Sequence, residues 1–168
     1  MSAGETVVVG LGSDLRGDDA AGLAVARLLA GLHGDAPPPG VAVEACGDAA
    51  ALVEAWSGAA LAIVVDAVRT GAPPGTVHHR LPSLPVPLPA PLPVEGWHGG
   101  THSLGLVDAV DLARALGRLP GELVVVGIEG GDFTPGAPMT PPVLAAVRRT
   151  ARELRERLSR ERRAGRRR

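Results

Sequence analysis

The sequence is poor in cysteine, lysine and aromatic residues. Cys46 is the single cysteine, lysine and tyrosine are absent, and aromatic residues make up 2% of the chain. One cysteine excludes an internal disulfide framework and any zinc or iron–sulfur site built from several cysteines. The chain has too few aromatic side chains to form a surface that stacks nucleic-acid bases, so we expect no nucleic-acid partner.

Long apolar runs are also missing. No stretch approaches the roughly 18 apolar residues that indicate a membrane span. The opening Met-Ser-Ala-Gly-Glu does not resemble the start of a signal peptide. We therefore expect no membrane association and a cytoplasmic location.

Length and charge indicate one globular unit with a basic end. The 168 residues are 45% hydrophobic, which is typical of a single domain with its own core, and we place it at 1–163. Eleven arginines and three glutamates lie between Arg148 and Arg168, giving that stretch a net charge of +8, while the other 147 residues carry −9. We expect residues 164–168 to form a disordered arginine-rich tail.

Apolar β-branched runs alternate with segments of helical periodicity. This alternation predicts an α/β fold with three layers, α/β/α, around a mostly parallel sheet of about five strands. The six prolines at 82–93 predict an extended surface loop. Strands are predicted at 6–10, 41–45, 60–66, 76–81 and 122–128, and helices at 18–32, 48–56, 101–116 and 140–163.

Three polar side chains lie where predicted strands end or helices begin. Asp19 follows the first strand, Asp66 ends the third, and His102 opens a helix. If the first and third strands are neighbours, these side chains face one crevice at the carboxyl edge of the sheet. Two carboxylates and an imidazole form a three-ligand site that suits a first-row divalent metal, nickel or zinc rather than magnesium.

A dinucleotide site is the competing interpretation of the first loop. Gly10-Leu-Gly12 matches the first half of G-x-G-x-x-G, but Leu15 occupies the third glycine position. A pyrophosphate would also meet negative charge at this helix start. The aspartates that supply it are Asp14, Asp18 and Asp19.

Other polar residues have structural interpretations. Asp18 is predicted to cap the helix that follows it. Glu129 follows a buried strand and either lines the crevice or holds a helix N-terminus. His78 and His79 adjoin on an edge strand, so they are expected to face opposite sides of the sheet.

Four stretches follow, in order, the motifs of one enzyme family. Together they resemble the hydrogenase maturation proteases, which trim the C-terminus of the large subunit of nickel–iron hydrogenases, over about residues 6–150. The matching segments are Val7–Gly22, similar to G-x-G-N-x-L-x-x-D-[DE]-x-x-G with Ser13 for asparagine; Ile63–Ala67; Thr101–Leu106, similar to S-x-H-x-L-G-L; and 127–129 with 139–143, similar to G-I-E-P and L-S-P-x-V.

The resemblance implies a fold, a site and a substrate. The family's sheet is twisted and five-stranded, a phosphorylase/hydrolase-like arrangement. Its metal ligands carry over to Asp19, Asp66 and His102, which the resemblance also makes candidate catalytic residues. The family's D-G-G-T reads Cys46-Gly-Asp48-Ala here, which makes Asp48 the fourth candidate catalytic residue.

The implied activity is an endopeptidase that removes a C-terminal peptide from a nickel-loaded hydrogenase large-subunit precursor. The nickel arrives with that precursor, and zinc or cadmium is expected to occupy the same site in vitro. We expect the protein to be a monomer. Cleavage uses either a metal-activated water or an aspartate as general base, and the sequence leaves both open.

Two other function classes stay open. The altered stretch at Cys46–Asp48 motivates a non-catalytic relative that binds a metallated partner. The half-matched glycine motif motivates a nucleotide-using α/β enzyme.

Overall fold

Strands and helices alternate along the chain in the predicted order. The computed structural model describes residues 5–31, 41–46, 49–80 and 103–165. Its strands are β1 (Thr6–Leu11), β2 (Val41–Cys46), β3 (Leu61–Val68), β4 (Val77–Arg80) and β5 (Glu122–Glu129). Its helices are α1 (Ala21–Leu29), α2 (Ala49–Trp56), α3 (Ser103–Ala115) and α4 (Pro141–Gly165), and a short 3-10 helix (Gly17–Ala20) precedes α1.

The strands form one sheet in the order β2-β1-β3-β5-β4. All neighbouring pairs are parallel except β4 and β5, which are antiparallel. The expectation of a mostly parallel five-stranded sheet is therefore confirmed. Buried parallel strands need no polar face, and every residue of β3 is buried.

Helices cover both faces of this sheet, because successive side chains of a strand point to opposite sides. Val7 and Val9 of β1 belong to the core beneath α2 and α3. Val8 and Ile63 belong to the second core, beneath α1 and α4. These two cores make the three layers that the sequence predicts.

The order of the strands also fixes where a ligand could bind. From β1 the chain passes through α1 to β2 on one side, while β3 pairs with the other side of β1. The crevice at such a switch opens at the carboxyl ends of β1 and β3. The predicted neighbourhood of the first and third strands is thus confirmed.

The first helix differs from its prediction at 18–32. The 3-10 helix spans Gly17–Ala20 and α1 begins only at Ala21; neither element has a side-chain hydrogen bond at its N-cap. The prediction of Asp18 as a helix cap is therefore wrong. Its carboxylate bonds instead to a loop more than 110 residues further along the chain.

The C-terminal helix is longer than predicted. α4 continues to Gly165, so residues 164 and 165 are helical rather than part of a disordered tail. Residues 166–168 and the predicted proline-rich loop at 82–93 lie outside the described residues. In the described part of the chain, no helix combines the length and apolar character that crossing a bilayer requires.

Candidate active site at the carboxyl edge of the sheet

Asp66 lies inside β3, two residues before its end, rather than closing the strand as predicted. Only 1% of its surface is exposed. Its Oδ1 accepts a hydrogen bond of 2.8 Å from the Ala67 N–H. Its Oδ2 is buried and has no hydrogen-bond partner among the described residues. A buried polar oxygen without a partner is unusual in a native protein, and a catalytic role or a bound ion or water explains it.

Asp19 lies in the 3-10 helix that follows β1 and is fully buried. Its backbone is held on both sides: its N–H donates to the Arg16 carbonyl at 3.1 Å, and its carbonyl accepts from the Ser13 N–H at 3.3 Å. Gly12, with φ of +137°, lies against the same carbonyl, where a Cβ would overlap with it. The loop after β1 thus needs glycine at this point to close around Asp19.

The two carboxylates interact electrostatically across the carboxyl edge of the sheet. Burial raises the pKa of Asp66 to about 7; the hydrogen bond from Ala67 opposes this shift, and the negative charge of Asp19 adds to it. The 3-10 helix that carries Asp19 packs directly on β3. A divalent cation between the two groups would replace their repulsion with attraction on both sides.

Close packing of glycines sets the distance between the elements that carry Asp19 and Asp66. Gly10 of β1 and Gly22 of α1 face each other, and a Cβ on Gly10 would overlap with the Gly22 carbonyl. A Cβ on Gly22 would overlap with the carbonyl oxygens of Leu11 and Val65. The first glycines of the half-matched dinucleotide motif, Gly10 and Gly12, therefore serve packing and loop closure in this chain.

Asp18, next to the candidate ligand, has a different role. It is fully buried, and its carboxylate accepts four hydrogen bonds. The donors are the N–H groups of Gly131, Asp132 and Thr140, at 2.8, 3.0 and 2.6 Å, and the Thr140 hydroxyl at 3.0 Å. Asp18 thereby ties the loop between β5 and α4 to the 3-10 helix.

Glu129 is buried beneath the loop after β3. Its carboxylate accepts from the Thr70 N–H at 2.7 Å, the Thr70 hydroxyl at 2.8 Å and the Gly71 N–H at 3.0 Å, and it pairs with His78 Nε2 at 3.1 Å. Burial by itself would raise the pKa of Glu129, but these hydrogen bonds outweigh it and hold the pKa below its usual value. Glu129 therefore holds a loop rather than a helix N-terminus.

The two adjacent histidines behave as predicted. His78 and His79 lie in β4, His78 half-buried against Glu129 and His79 exposed. They face opposite sides of the strand.

Two predicted site residues lie outside the described residues. His102 immediately precedes α3, which begins at Ser103, and Asp48 immediately precedes α2, which begins at Ala49. Within the described ranges, no group of three or more His, Cys, Asp or Glu side chains could hold a metal ion. The described chain thus contributes two carboxylates, and His102 and Asp48 stay predictions.

Comparison with solved structures gives the same fold over nearly the whole chain. The hydrogenase maturating endopeptidase HybD from E. coli matches with a TM-score of 0.72 and 20% identity, covering 94% of this chain and 93% of that one. The maturation protease HycI from Thermococcus kodakarensis KOD1 gives 0.65 and 22%, covering 90% of each chain. The hydrogenase 2 maturation peptidase from Thaumarchaeota archaeon SCGC_AB-539-E09 gives 0.64 and 25%, covering 92% and 97%.

Sequence comparison identifies the family. No curated protein matches the chain. A model of the HycI hydrogenase maturation protease family matches residues 35–156, which is well over half of the chain. Together with the shared fold, this match shows that the chain belongs to the hydrogenase maturation protease family.

Proposed function

We propose that this protein is the endopeptidase that removes a C-terminal peptide from the nickel-loaded precursor of a nickel–iron hydrogenase large subunit. Hydrogenase maturation proteases act on precursors of hydrogenase large subunits. The observation that carries the proposal is the pair of buried carboxylates, Asp19 and Asp66, at the switch between β1 and β3. We further propose that His102, which immediately precedes α3 in the sequence, completes the ligand set.

In this proposal, nickel belongs to the substrate and reports that metal insertion is complete. Without a cation, the buried carboxylates of Asp19 and Asp66 repel each other, so a metal-free precursor gains little by docking. A precursor that carries nickel offers a divalent charge to the same oxygens. Selectivity then comes from the difference in binding free energy between the two forms of the precursor.

The geometry of Asp66 suits both routes of cleavage. Its Oδ1 is engaged by the Ala67 N–H, so Oδ2 is the oxygen available to nickel or to the proton of an attacking water. In the first route, Asp19 and Asp66 would hold the precursor's nickel, which would supply a water of lowered pKa for attack on the scissile carbonyl. In the second, Asp66 removes the proton of the attacking water as a general base. Asp48 is the further candidate for proton transfer.

The test compares a nickel-loaded precursor with the same precursor prepared without nickel. We expect a defined C-terminal peptide to be lost only from the nickel-loaded form, as measured by intact mass. Asp19→Asn and Asp66→Asn should slow this release by at least about a hundredfold. Asp14→Asn is the matched control, because Asp14 lies in the same loop but is exposed and pairs with Arg27 at 2.6 Å.

Three results would contradict the proposal. Nickel-dependent binding without cleavage would indicate the non-catalytic relative. Cleavage that is indifferent to nickel would remove the recognition step. Thermal stabilisation by a nucleotide, with no effect of the precursor, would favour the nucleotide-using enzyme. We expect the active protein to be a cytoplasmic monomer.

A further inference from the structure

Arg69 presents an exposed positive charge at the carboxyl edge of the sheet. It follows β3 directly, three residues after Asp66. The two buried carboxylates of the candidate site, Asp19 and Asp66, lie at the same edge. The exposed guanidinium of Arg69 has chemistry that this ligand set does not use.

The backbone next to Arg69 is fixed from below. The Thr70 N–H and hydroxyl both donate to the buried Glu129 carboxylate, at 2.7 and 2.8 Å, and the Gly71 N–H donates at 3.0 Å. Hydrogen bonds to a charged, buried acceptor are stronger than those between neutral groups. These hydrogen bonds hold the backbone of the loop that carries Arg69 in place.

The side chain of Arg69 is ordered as well. Its guanidinium carbon lies 4.6 Å from the centre of the Phe133 ring. That ring is itself packed in place, because Gly130 leaves room that a Cβ would fill. A guanidinium that stacks on a ring keeps its N–H donors free in the plane, and it loses less entropy when an acceptor arrives.

The donors of Arg69 are not used within the described structure. Among the described residues, no carboxylate pairs with Arg69 and no acceptor takes its N–H groups. Other arginines do have such partners: Arg27 pairs with Asp14, Arg118 with Glu54, and Arg149 donates to the Gly75 carbonyl. Arg69 is ordered by an aromatic ring instead, which leaves its charge available to an incoming group.

We propose that Arg69 is a specificity-determining residue that binds a carboxylate of the precursor near the bond to be cut. This inference rests on the proposed function, since it assigns a contact of the same substrate. The guanidinium fork matches a carboxylate with two parallel N–H···O bonds. Such a contact holds the precursor's peptide segment beside Asp66 and leaves the chemical step to the candidate site.

The test measures KM and kcat for release of the C-terminal peptide from the nickel-loaded precursor. For Arg69→Ala we expect KM to rise about tenfold with kcat within about twofold of the wild type, the signature of lost uniform binding. The KM of Arg69→Lys should lie between those of the wild type and Arg69→Ala, because lysine keeps the charge but loses the guanidinium fork and the stacking. Arg160→Ala is the matched control: its side chain is 73% exposed near the far end of α4.

Changes in the precursor identify the carboxylate. One set replaces each acidic side chain near the scissile bond with its amide, and another amidates the C-terminal carboxylate. With the right group neutralised, wild type and Arg69→Ala should have the same KM, as in a double-mutant cycle. The inference is overturned if Arg69→Ala leaves KM unchanged, or if no neutralisation removes the difference. A wild type that releases no peptide from any precursor would instead overturn the proposed function.

Discussion

At the scale of single residues, Asp66 serves the proposed function but destabilises the folded protein when its buried carboxyl group ionises. Its pKa of about 7 in the folded protein lies above the 3.8 of an ordinary aspartate. The folded state therefore holds the proton more tightly than the unfolded chain does. The contribution of Asp66 to stability is therefore greatest below about pH 4. It is lost as the pH rises from 4 to 7, and above pH 7 the loss is complete.

Replacing Asp66 with asparagine should remove this loss. Asparagine keeps the shape and an acceptor for the Ala67 N–H but carries no charge. In the presence of a chelator, we expect Asp66→Asn to unfold at higher urea than the wild type at pH 8, by about 4 kcal/mol at most. The gain should shrink towards zero as the pH falls to 4. A variant less stable than the wild type at pH 8 would contradict the account.

Asp18 should be the most sensitive of the aspartates in the first loop. Truncation to alanine removes the acceptor of four hydrogen bonds and leaves three N–H groups of the partner loop without it. We expect Asp18→Ala to lower the free energy of unfolding by about 3–5 kcal/mol, measured by urea denaturation.

The matched control for Asp18 is Asp14→Ala. Asp14 pairs with Arg27 in solvent, where about half of each side chain is exposed, so its loss should cost less than about 1 kcal/mol. Equal effects of the two substitutions would show that the loop between β5 and α4 does not depend on Asp18.

At the scale of elements, the contact of α1 with the sheet sets the geometry of the candidate site. Gly22 lies where α1 meets the backbone of β1 and β3. We expect Gly22→Ala to destabilise the protein by about 3 kcal/mol or more, because the overlap is with carbonyl oxygens that cannot move aside, and this outweighs the better helix propensity of alanine.

Gly117→Ala separates overlap from backbone strain. Gly117 has φ of +65° and open space around its Cβ position. Its substitution should therefore cost only about 1 kcal/mol, from the left-handed conformation. If Gly22→Ala cost no more than this control, close packing would not be what positions α1.

The regular elements could be predicted because their signals are local. The β-branched runs of β1, β3 and β5 and the periodic helices carry their own patterns, and the pairing of the first and third strands was expected from the usual switch of a doubly wound sheet. The 3-10 helix was missed, since an aspartate before an apolar periodic segment has the same sequence as an N-cap. Only its contacts with the loop at 131–140 distinguish Asp18 from a helix cap, and that loop lies far away in the sequence.

The candidate site could be predicted only in part for the same reason. Asp19 follows β1 and Asp66 lies near the end of β3, which places them at one edge as soon as the pairing of these strands is known. Glu129 was ambiguous because its partners, Thr70 and His78, lie on elements separated from it by more than 50 residues. Arg69 gave no signal at all: its order depends on Phe133, which no periodicity connects to it.

At the scale of the whole molecule, the fold brings residues that are distant in sequence to the same edge of the sheet. Asp19 and Asp66 are 47 residues apart in sequence. The pairing of β1 with β3 brings the elements that carry them side by side. The two buried carboxylates thereby lie at one edge of the sheet. A cation is therefore the ligand that this end of the molecule favours.

The most direct test of this account is a crystal structure of the protein soaked with cadmium, with the metal located by its anomalous scattering. We expect one strong peak within coordination distance of an oxygen of Asp19 and of Asp66 Oδ2, with His102 as a third ligand. No peak between the two carboxylates, or a peak bound by other side chains alone, would contradict the claim that these residues share one metal ion.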